Sequence, residues 1–349
     1  MDVLSDVIAV MRTGEPRSAL VEWTAPWGQR FRTVPGAAGF QVVLRGSCWF
    51  IPEGGDPFPL AAGDVVFLPH ESRHGLADAP STPLAEHACD PRDDVRFERR
   101  HAAAPIGRAG TGSPATVTLC GAYELDAARV HPLLDGLPSV LHLPARLGRH
   151  PQLRAAVELL GAELDDPQPG TGALVPALLD TLLLYILRAW FADQPVGGGA
   201  TGWAAALADP AVSAALEALH DDPARPWTVA GLGAHAGLSR AAFSRRFTAL
   251  VGRPPLAYLT WWRLTTAMRL LRDSDAPLNV VAEQVGYGSE YAFANAFKRE
   301  FDLPPGRYRR DSRSPARPEP ADAQLHHALG LGNPRPASGG GAVRTEDDT

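Results

Sequence analysis

One short pattern occurs twice, about fifty residues apart, and it narrows what this 349-residue chain can fold into more than anything else in it. The first copy reads LGAHAGLSRAAFSRRF at 232–247 and the second VAEQVGYGSEYAFANAF at 281–297. Leu232 aligns with Val281, Ala236 with Val285, Gly237 with Gly286, Phe243 with Phe293 and Phe247 with Phe297. The second copy gains one residue after its glycine. Each copy predicts a short helix, a glycine turn and a second helix with aromatics at i and i+4. Glycine supplies a left-handed turn at little steric cost, and Ser239 and Ser289 stand where they would cap the second helices. A helix–turn–helix unit of this kind places its second helix in the major groove of DNA. A lone copy would fit any helical hairpin; two copies joined by a helix favour the DNA reading.

That joining helix is predicted over Pro255–Asp273, PLAYLTWWRLTTAMRLLRD. At about 1.5 Å per residue it spans roughly 28 Å, close to the ~34 Å between successive major-groove faces on one side of B-DNA. One chain could therefore set two recognition helices in neighbouring groove segments without dimerising.

If Leu238, Phe243, Phe247 and Leu250 face inward, Arg240, Ala241, Ser244 and Arg245 are left on the outward, N-terminal side of the first recognition helix. In the second, Phe293, Phe297 and Phe301 face inward and leave Glu290, Tyr291, Ala292 and Asn295 for the groove. Arg pairs bidentately with guanine, Asn with adenine, and Glu accepts from cytosine. Lys298, Arg299 and Arg246 are placed for phosphate or solvent. Charge agrees: residues 223–310 hold 13 Arg and Lys against 6 Asp and Glu, whereas 1–222 hold 16 against 27. A basic module joined to an acidic one localises polyanion binding to the C-terminal third.

Residues 225–310 resemble the DNA-binding domain of the AraC/XylS transcriptional regulators, through AHAGLSRAAFSRRF, VGRPPLAYLTWWRLTTAMRLL and VAEQVGYGSEYAFANAFKREFDLPPGRYRR. Asp302 stands where the family usually has Gly; Asp tolerates a left-handed cap better than most residues, so the expected cost is small. The stretches FQVVLRGSCWFIPEGGDPFPLAAGDVVFLPHESRHGL and LCGAYELDAARVHPLLDGLPSVLHL are similar to the cupin-type N-terminal domain of one AraC-family branch. The resemblance implies an effector-binding β-barrel followed by dimerising helices.

The residues upstream agree in texture. Short apolar runs alternate with Gly, Pro and Asp turns from 20 to about 125, as in a sandwich or barrel of jelly-roll kind. Gly63-Asp64 predicts a turn, Val65–Leu68 a strand, and Pro69 its end. Helices are expected at HPQLRAAVELLGAELDD, at 171–192 and at PAVSAALEALHDD. The fold class expected is thus α+β and multidomain: a cupin-like jelly-roll barrel plus helices, then an all-α domain with two helix-turn-helix units. The expected divisions are 1–145 effector domain, 146–193 dimerisation helices, 194–224 linker with a short helix, 225–310 DNA-binding domain and 311–349 disordered tail. The most apolar stretch, 173–192, holds Asp180 and Arg188, which a membrane span would bury at high cost, so a helix buried by its own domain or a second subunit is expected.

Candidates for the effector pocket come from the strands: Gln41, Val43, Trp49, Phe67 and His74. A metal-dependent enzymatic cupin is the rival, but GFQVVLRGSCWF lacks any His, and His70 and His74 alone fall short of a three-ligand set. No nucleophile elbow, P-loop or dinucleotide fingerprint is present, so neither a cofactor nor catalysis is expected. Cys48, Cys89 and Cys120 have no paired spacing and the N-terminus lacks a secretory pattern, which suits reduced thiols in a cytoplasm. The expected partners are double-stranded DNA, a small-molecule effector, a second copy of the chain and, for an activator, RNA polymerase. A regulator without any ligand is the remaining alternative.

Overall fold

The structure is a computed structural model that describes residues 2–14, 16–31, 36–70, 72–85, 101–102, 116–125, 131–146, 148–194 and 202–313. Cys89, residues 195–201 of the expected linker and 314–349 of the expected tail lie outside the described residues.

The chain opens with helix α1 (Val3–Met11), capped by Asp2. Among the described residues ten strands follow, interrupted by one short helix: β1 (Arg17–Trp23), β2 (Gly28–Phe31), β3 (Ala37–Arg45), β4 (Ser47–Pro52), β5 (Phe58–Ala61), β6 (Val65–Leu68), β7 (His74–Ala77), β8 (His101–Ala102), β9 (Thr116–Glu124), α2 (Pro132–Asp135) and β10 (Leu141–Leu143). They form a six-stranded sheet, β10-β6-β3-β9-β1-β8, and a four-stranded sheet, β2-β7-β4-β5. Gly63 takes a left-handed φ of 91° at the turn into β6, and Asp64 fastens that turn by accepting from Ala61 N at 3.0 Å and Ala145 N at 2.8 Å.

The larger sheet is buried on both faces. Ala19, Val21, Val43 and Val66 point toward the smaller sheet and pack with Phe50, Leu60 and Leu76. Leu20, Phe40, Val42, Phe67, Leu119 and Tyr123 point the other way, into a core shared with α3 (Pro151–Asp165) and α4 (Thr171–Asp193). This is why β6 reads VVFL with every residue buried rather than alternating.

Helix α4 is long and apolar enough to cross a membrane by length and composition, and 39% of its most apolar window is buried within the protein. It packs on α3, and Tyr123 Oη donates to the Leu179 carbonyl at 2.7 Å. Asp180, inside the apolar run, pairs with Arg12 just beyond α1.

The remainder is helical: α5 (Trp203–Ala208), α6 (Pro210–Asp221), α7 (Val229–His235), α8 (Arg240–Val251), α9 (Pro255–Asp273), α10 (Leu278–Gln284), α11 (Glu290–Phe301) and α12 (Pro305–Arg313). The segment expected as a linker with one short helix carries two, α5 and α6, and both pack on α8. Trp203 and Ala206 are the buried pair that recruits α5. Residues 311–313, expected in the disordered tail, end α12, where Arg313 donates to the Arg272 carbonyl at 3.1 Å.

A buried polar chain joins the two halves. His131 accepts from Leu133 N at its Nδ1, which leaves its Nε2–H to donate to Tyr258 Oη at 3.3 Å. Tyr258 Oη donates in turn to His220 Nε2 at 2.7 Å, and His220 Nδ1 faces the Asp6 carboxylate at 3.4 Å. The four residues come from α1, the segment before α2, α6 and α9. Trp262 stacks on His220 at 3.8 Å, and Trp203 and Trp261 meet His131 edge-on. Burial pushes the Tyr258 hydroxyl well above its usual range and both imidazoles below theirs.

Two outcomes are expected. Tyr258→Phe leaves His131 and His220 each short of a buried partner, so urea unfolding of the full chain should show a loss of about 1–3 kcal/mol; an unchanged midpoint would remove the hydroxyl from the account. Burial also lowers the His74 pKa to about 4. A base whose pKa is depressed in the folded state binds its proton more readily when unfolded, so stability should fall as pH drops below ~6.5, by roughly 1.4 kcal/mol per pH unit for each such histidine. For His74 the loss continues to about pH 4. Urea midpoints that stay level from pH 7.5 to 5 would contradict neutral, buried imidazoles.

Candidate nucleic-acid interface

Both repeat copies fold as helix pairs with the same local devices. Thr228 caps α7 by accepting from Gly231 N at 3.0 Å, and Gly237 makes the turn at φ 67°. Ser239 caps α8 through Ala242 N at 3.3 Å. In the second copy Gly286 turns at φ 80°, and Ser289 caps α11 through Ala292 N at 3.2 Å. Asp302 closes α11 in the left-handed conformation expected of it, at φ 54°. The aromatics anchor both recognition helices: Phe243, Phe247, Phe293 and Phe297 are fully buried. Leu250 and Phe301 are half-buried.

With those side chains inward, the polar faces look out. Arg240, Ala241 and Arg245 on α8 are exposed and Ser244 is half-buried. On α11, Glu290, Ala292, Asn295, Lys298 and Arg299 are exposed, and Tyr291 is 79% exposed, the most exposed large hydrophobic residue described. Arg240 and Arg245 have no ion-pair partner among the described residues, so their guanidinium groups are available to a polyanion. The single helix α9 spans 19 residues between the two units. Its apolar side supplies both cores, with Tyr258 and Leu259 packed toward α8 and Leu264, Met268 and Leu271 toward α11.

Arg246 differs from the expectation of a phosphate or solvent contact. It pairs with Asp209, which is 9% exposed and caps α6 by accepting from Ala211 N and Val212 N. The carboxylate that starts α6 captures the guanidinium, so Arg246 fastens the connecting segment to α8. Arg263 has a similar duty: it donates to the Pro223 carbonyl at 2.5 Å and the Arg225 carbonyl at 2.9 Å. Burial lowers its pKa. Neither role carries a sequence signal, because the partners lie 37 to 40 residues away.

The five side chains expected to line an effector pocket do not converge on one pocket. Gln41 and His74 meet inside the sandwich: Gln41 Nε2 donates to His74 Nε2 at 3.0 Å, while His74 Nδ1–H reaches the Ser72 carbonyl at 3.4 Å. The ring stacks parallel to Phe31 and Phe50, at centroid distances of 4.8 and 5.2 Å. Val43 shares that interior. Phe67 sits on the opposite face of its sheet, in the helix-covered core, because its register neighbour Phe40 points there too. Trp49 is half-buried between Cys48 and Phe50, whose side chains fill the interior, so alternation turns it outward. Gln41 Oε1 is buried without a hydrogen-bond partner. His70 donates from Nε2 to the Leu137 carbonyl at 2.9 Å, away from His74. Among the described residues no three His, Cys, Asp or Glu side chains gather in a metal-binding group.

Comparison with known proteins fits both halves. Residues 2–192 match a family model described as a cupin, and residues 232–311 one described as a helix-turn-helix domain. A putative AraC-like transcription regulator of Streptomyces lividans is 36% identical over 90% of this chain and 100% of its own length. Its counterpart in Streptomyces antibioticus is 35% identical over 89% of this chain and 99% of its own. Among solved structures, the DNA-binding domain of AdpA, a global transcriptional factor in complex with a target DNA, is 35% identical; it covers 32% of this chain and 98% of that one, with a TM-score of 0.29.

The neighbouring arginines should separate in experiment. Arg245→Ala is expected to weaken specific DNA binding by about 1–3 kcal/mol with the urea midpoint unchanged. Arg246→Ala is expected to cost stability, about 1 kcal/mol for a half-exposed pair, and to leave base preference intact. A footprint and affinity unaltered by Arg245→Ala would take that side chain off the groove face.

Proposed function

This chain belongs to the AraC family of transcription regulators, as a DNA-binding protein with a cupin N-terminal domain, and from that membership we propose an effector-controlled, homodimeric activator working in the cytoplasm. The observation that carries the DNA-binding part is the pair of capped, outward-facing helices α8 and α11 at either end of one rigid helix, α9. Arg240, Ala241, Ser244 and Arg245 would read one groove segment, and Glu290, Tyr291 and Asn295 the next, with Lys298 and Arg299 on phosphate.

Two features support the regulatory part. Leu159 on α3 and Leu174 on α4 are 59% and 49% exposed, apolar side chains that a second copy of the chain would cover. The buried His131–Tyr258–His220 chain ties the sensor half to α9, so a ligand that favours one arrangement of the halves would change how the recognition helices are presented. Such a ligand acts only through its differential affinity for the two arrangements. As an activator, the bound dimer would then contact RNA polymerase.

The test is a gel shift and footprint on the DNA upstream of the protein's own coding region, at about 150 mM salt with non-specific competitor, since affinity without a stated salt concentration means little. Two protected major-groove segments about one turn apart per protomer, doubled by a dimer, are expected. Retention of every fragment only in the absence of competitor would count against sequence-specific binding.

A further inference from the structure

A cleft of about 610 Å³ lies between helix α3 and one end of the six-stranded sheet. Its floor is apolar: Leu20, Leu44 and Val117 from the strands, and Leu153 and Val157 from the helix. The positions of α3 that face it run from Leu153 to Asp165, with Arg149 and His150 just before the helix. Along the helix, Leu153 to Asp165 extend over roughly 18 Å at about 1.5 Å per residue. The cleft thus runs along the helix, and it suits an extended apolar body.

Its charges run against those of the surrounding region. Residues 1–222 carry an excess of acidic groups, yet the cleft is bordered by Arg45, Arg146, Arg149 and Arg154 against Glu158 and Asp165. Arg149 is held by Asp193, and Arg154 pairs with Glu158 on the helix surface. Arg45 and Arg146 are exposed and have no ion-pair partner among the described residues. Two guanidinium groups without an ion-pair partner beside an apolar floor are what an anionic head needs, since arginine offers paired donors that match carboxylate and phosphate oxygens.

We propose that this cleft, outside the sandwich interior, is the ligand site of the N-terminal domain, and that it takes an elongated amphipathic anion, an apolar body ending in a carboxylate or phosphate. The proposal rests on the effector-controlled reading above and gives that reading a site and a ligand chemistry. Position argues for it as well: α3 packs along α4, which holds Arg12 at the end of α1, and α1 faces His220 through Asp6. A ligand that moves α3 acts at the start of a continuous run of packed elements ending at α9.

The test uses the full chain, titrated calorimetrically with decanoate, decyl phosphate and neutral decanol, with affinity for the footprinted DNA measured in parallel. One saturable site is expected for at least one anion, about ten-fold or more tighter than for decanol, the gain of hydrogen bonds to a charged group. The double variant Arg45→Gln/Arg146→Gln should erase that preference. Ala162→Trp, at an exposed position on the cleft wall, should abolish binding with the urea midpoint retained, and His74→Phe should leave binding in place. The two anions tell a carboxylate ligand from a phosphate one.

No saturable binding of either anion, equal affinity for decanol, or binding indifferent to Ala162→Trp would each overturn the site. An anion that binds in the cleft but leaves DNA affinity unchanged upholds the site and overturns effector control. DNA affinity that still responds to the anion in Ala162→Trp does the reverse.

Discussion

A single phenol, Tyr258, holds the two halves of this protein in register. Its hydroxyl is fully buried and sits between two imidazoles, one from the end of the sandwich and one from the connecting helix α6. A hydroxyl has one proton to give and lone pairs to receive with, so it can accept from one ring and donate to the other only if the two rings adopt opposite roles. The backbone settles this: Leu133 N occupies His131 Nδ1 and makes that ring a donor at Nε2, which leaves His220 to accept. The arrangement admits no spare proton, and burial holds both rings neutral. The aromatic sides of Trp203, Trp261 and Trp262 keep water from offering an alternative. Buried polar networks of this kind specify a unique arrangement because a partial one is worse than none.

What could be read from sequence follows from the range of the interactions involved. The joining helix Pro255–Asp273, the two glycine turns, the serine caps and the left-handed Asp302 were all legible, because each depends on residues within about one helical turn. So was the strand Val65–Leu68 with its flanking turn. The roles of His131, His220 and Arg246 were not, since their partners are 127, 38 and 37 residues distant and leave no local periodicity. In the sequence, nothing around His131 or His220 marks them as a pair, and only the fold reveals that they share a partner.

The N-terminal half shows a second limit. A strand buried on one face alternates, and the alternation tells which side chains share a pocket; a strand buried on both faces does not. In β3 and β6 every position is apolar or buried near the middle of the strand, so Phe40 and Phe67 cannot be told from Val43 and Val66 by pattern. The first pair belongs to the helix-covered core and the second to the sandwich interior. Grouping Phe67 with Gln41 and His74 therefore mixed the two faces of one sheet. Helix α3 covers the outer face incompletely, and the cleft beneath it borders Leu44 and Arg45, where β3 leaves its regular register after Val43.

The same reasoning explains a charge that the apolar helix α4 would otherwise be better without. Asp180 lies ten residues into a 23-residue helix, and one of its oxygens is buried without a hydrogen-bond partner. Such a carboxylate costs free energy unless it is paired, and Arg12 is the pair. Arg12 directly follows α1, and Asp6 near the middle of α1 faces His220. Helix α1 is thereby attached at one point to the helices of the N-terminal half and at another to the histidine that Tyr258 contacts. Nine residues of helix span only about 13 Å, too short and stiff to absorb a displacement between those two attachments. A movement of α4 that keeps Arg12 paired would therefore bear on the Asp6–His220 contact, and through His220 on Tyr258.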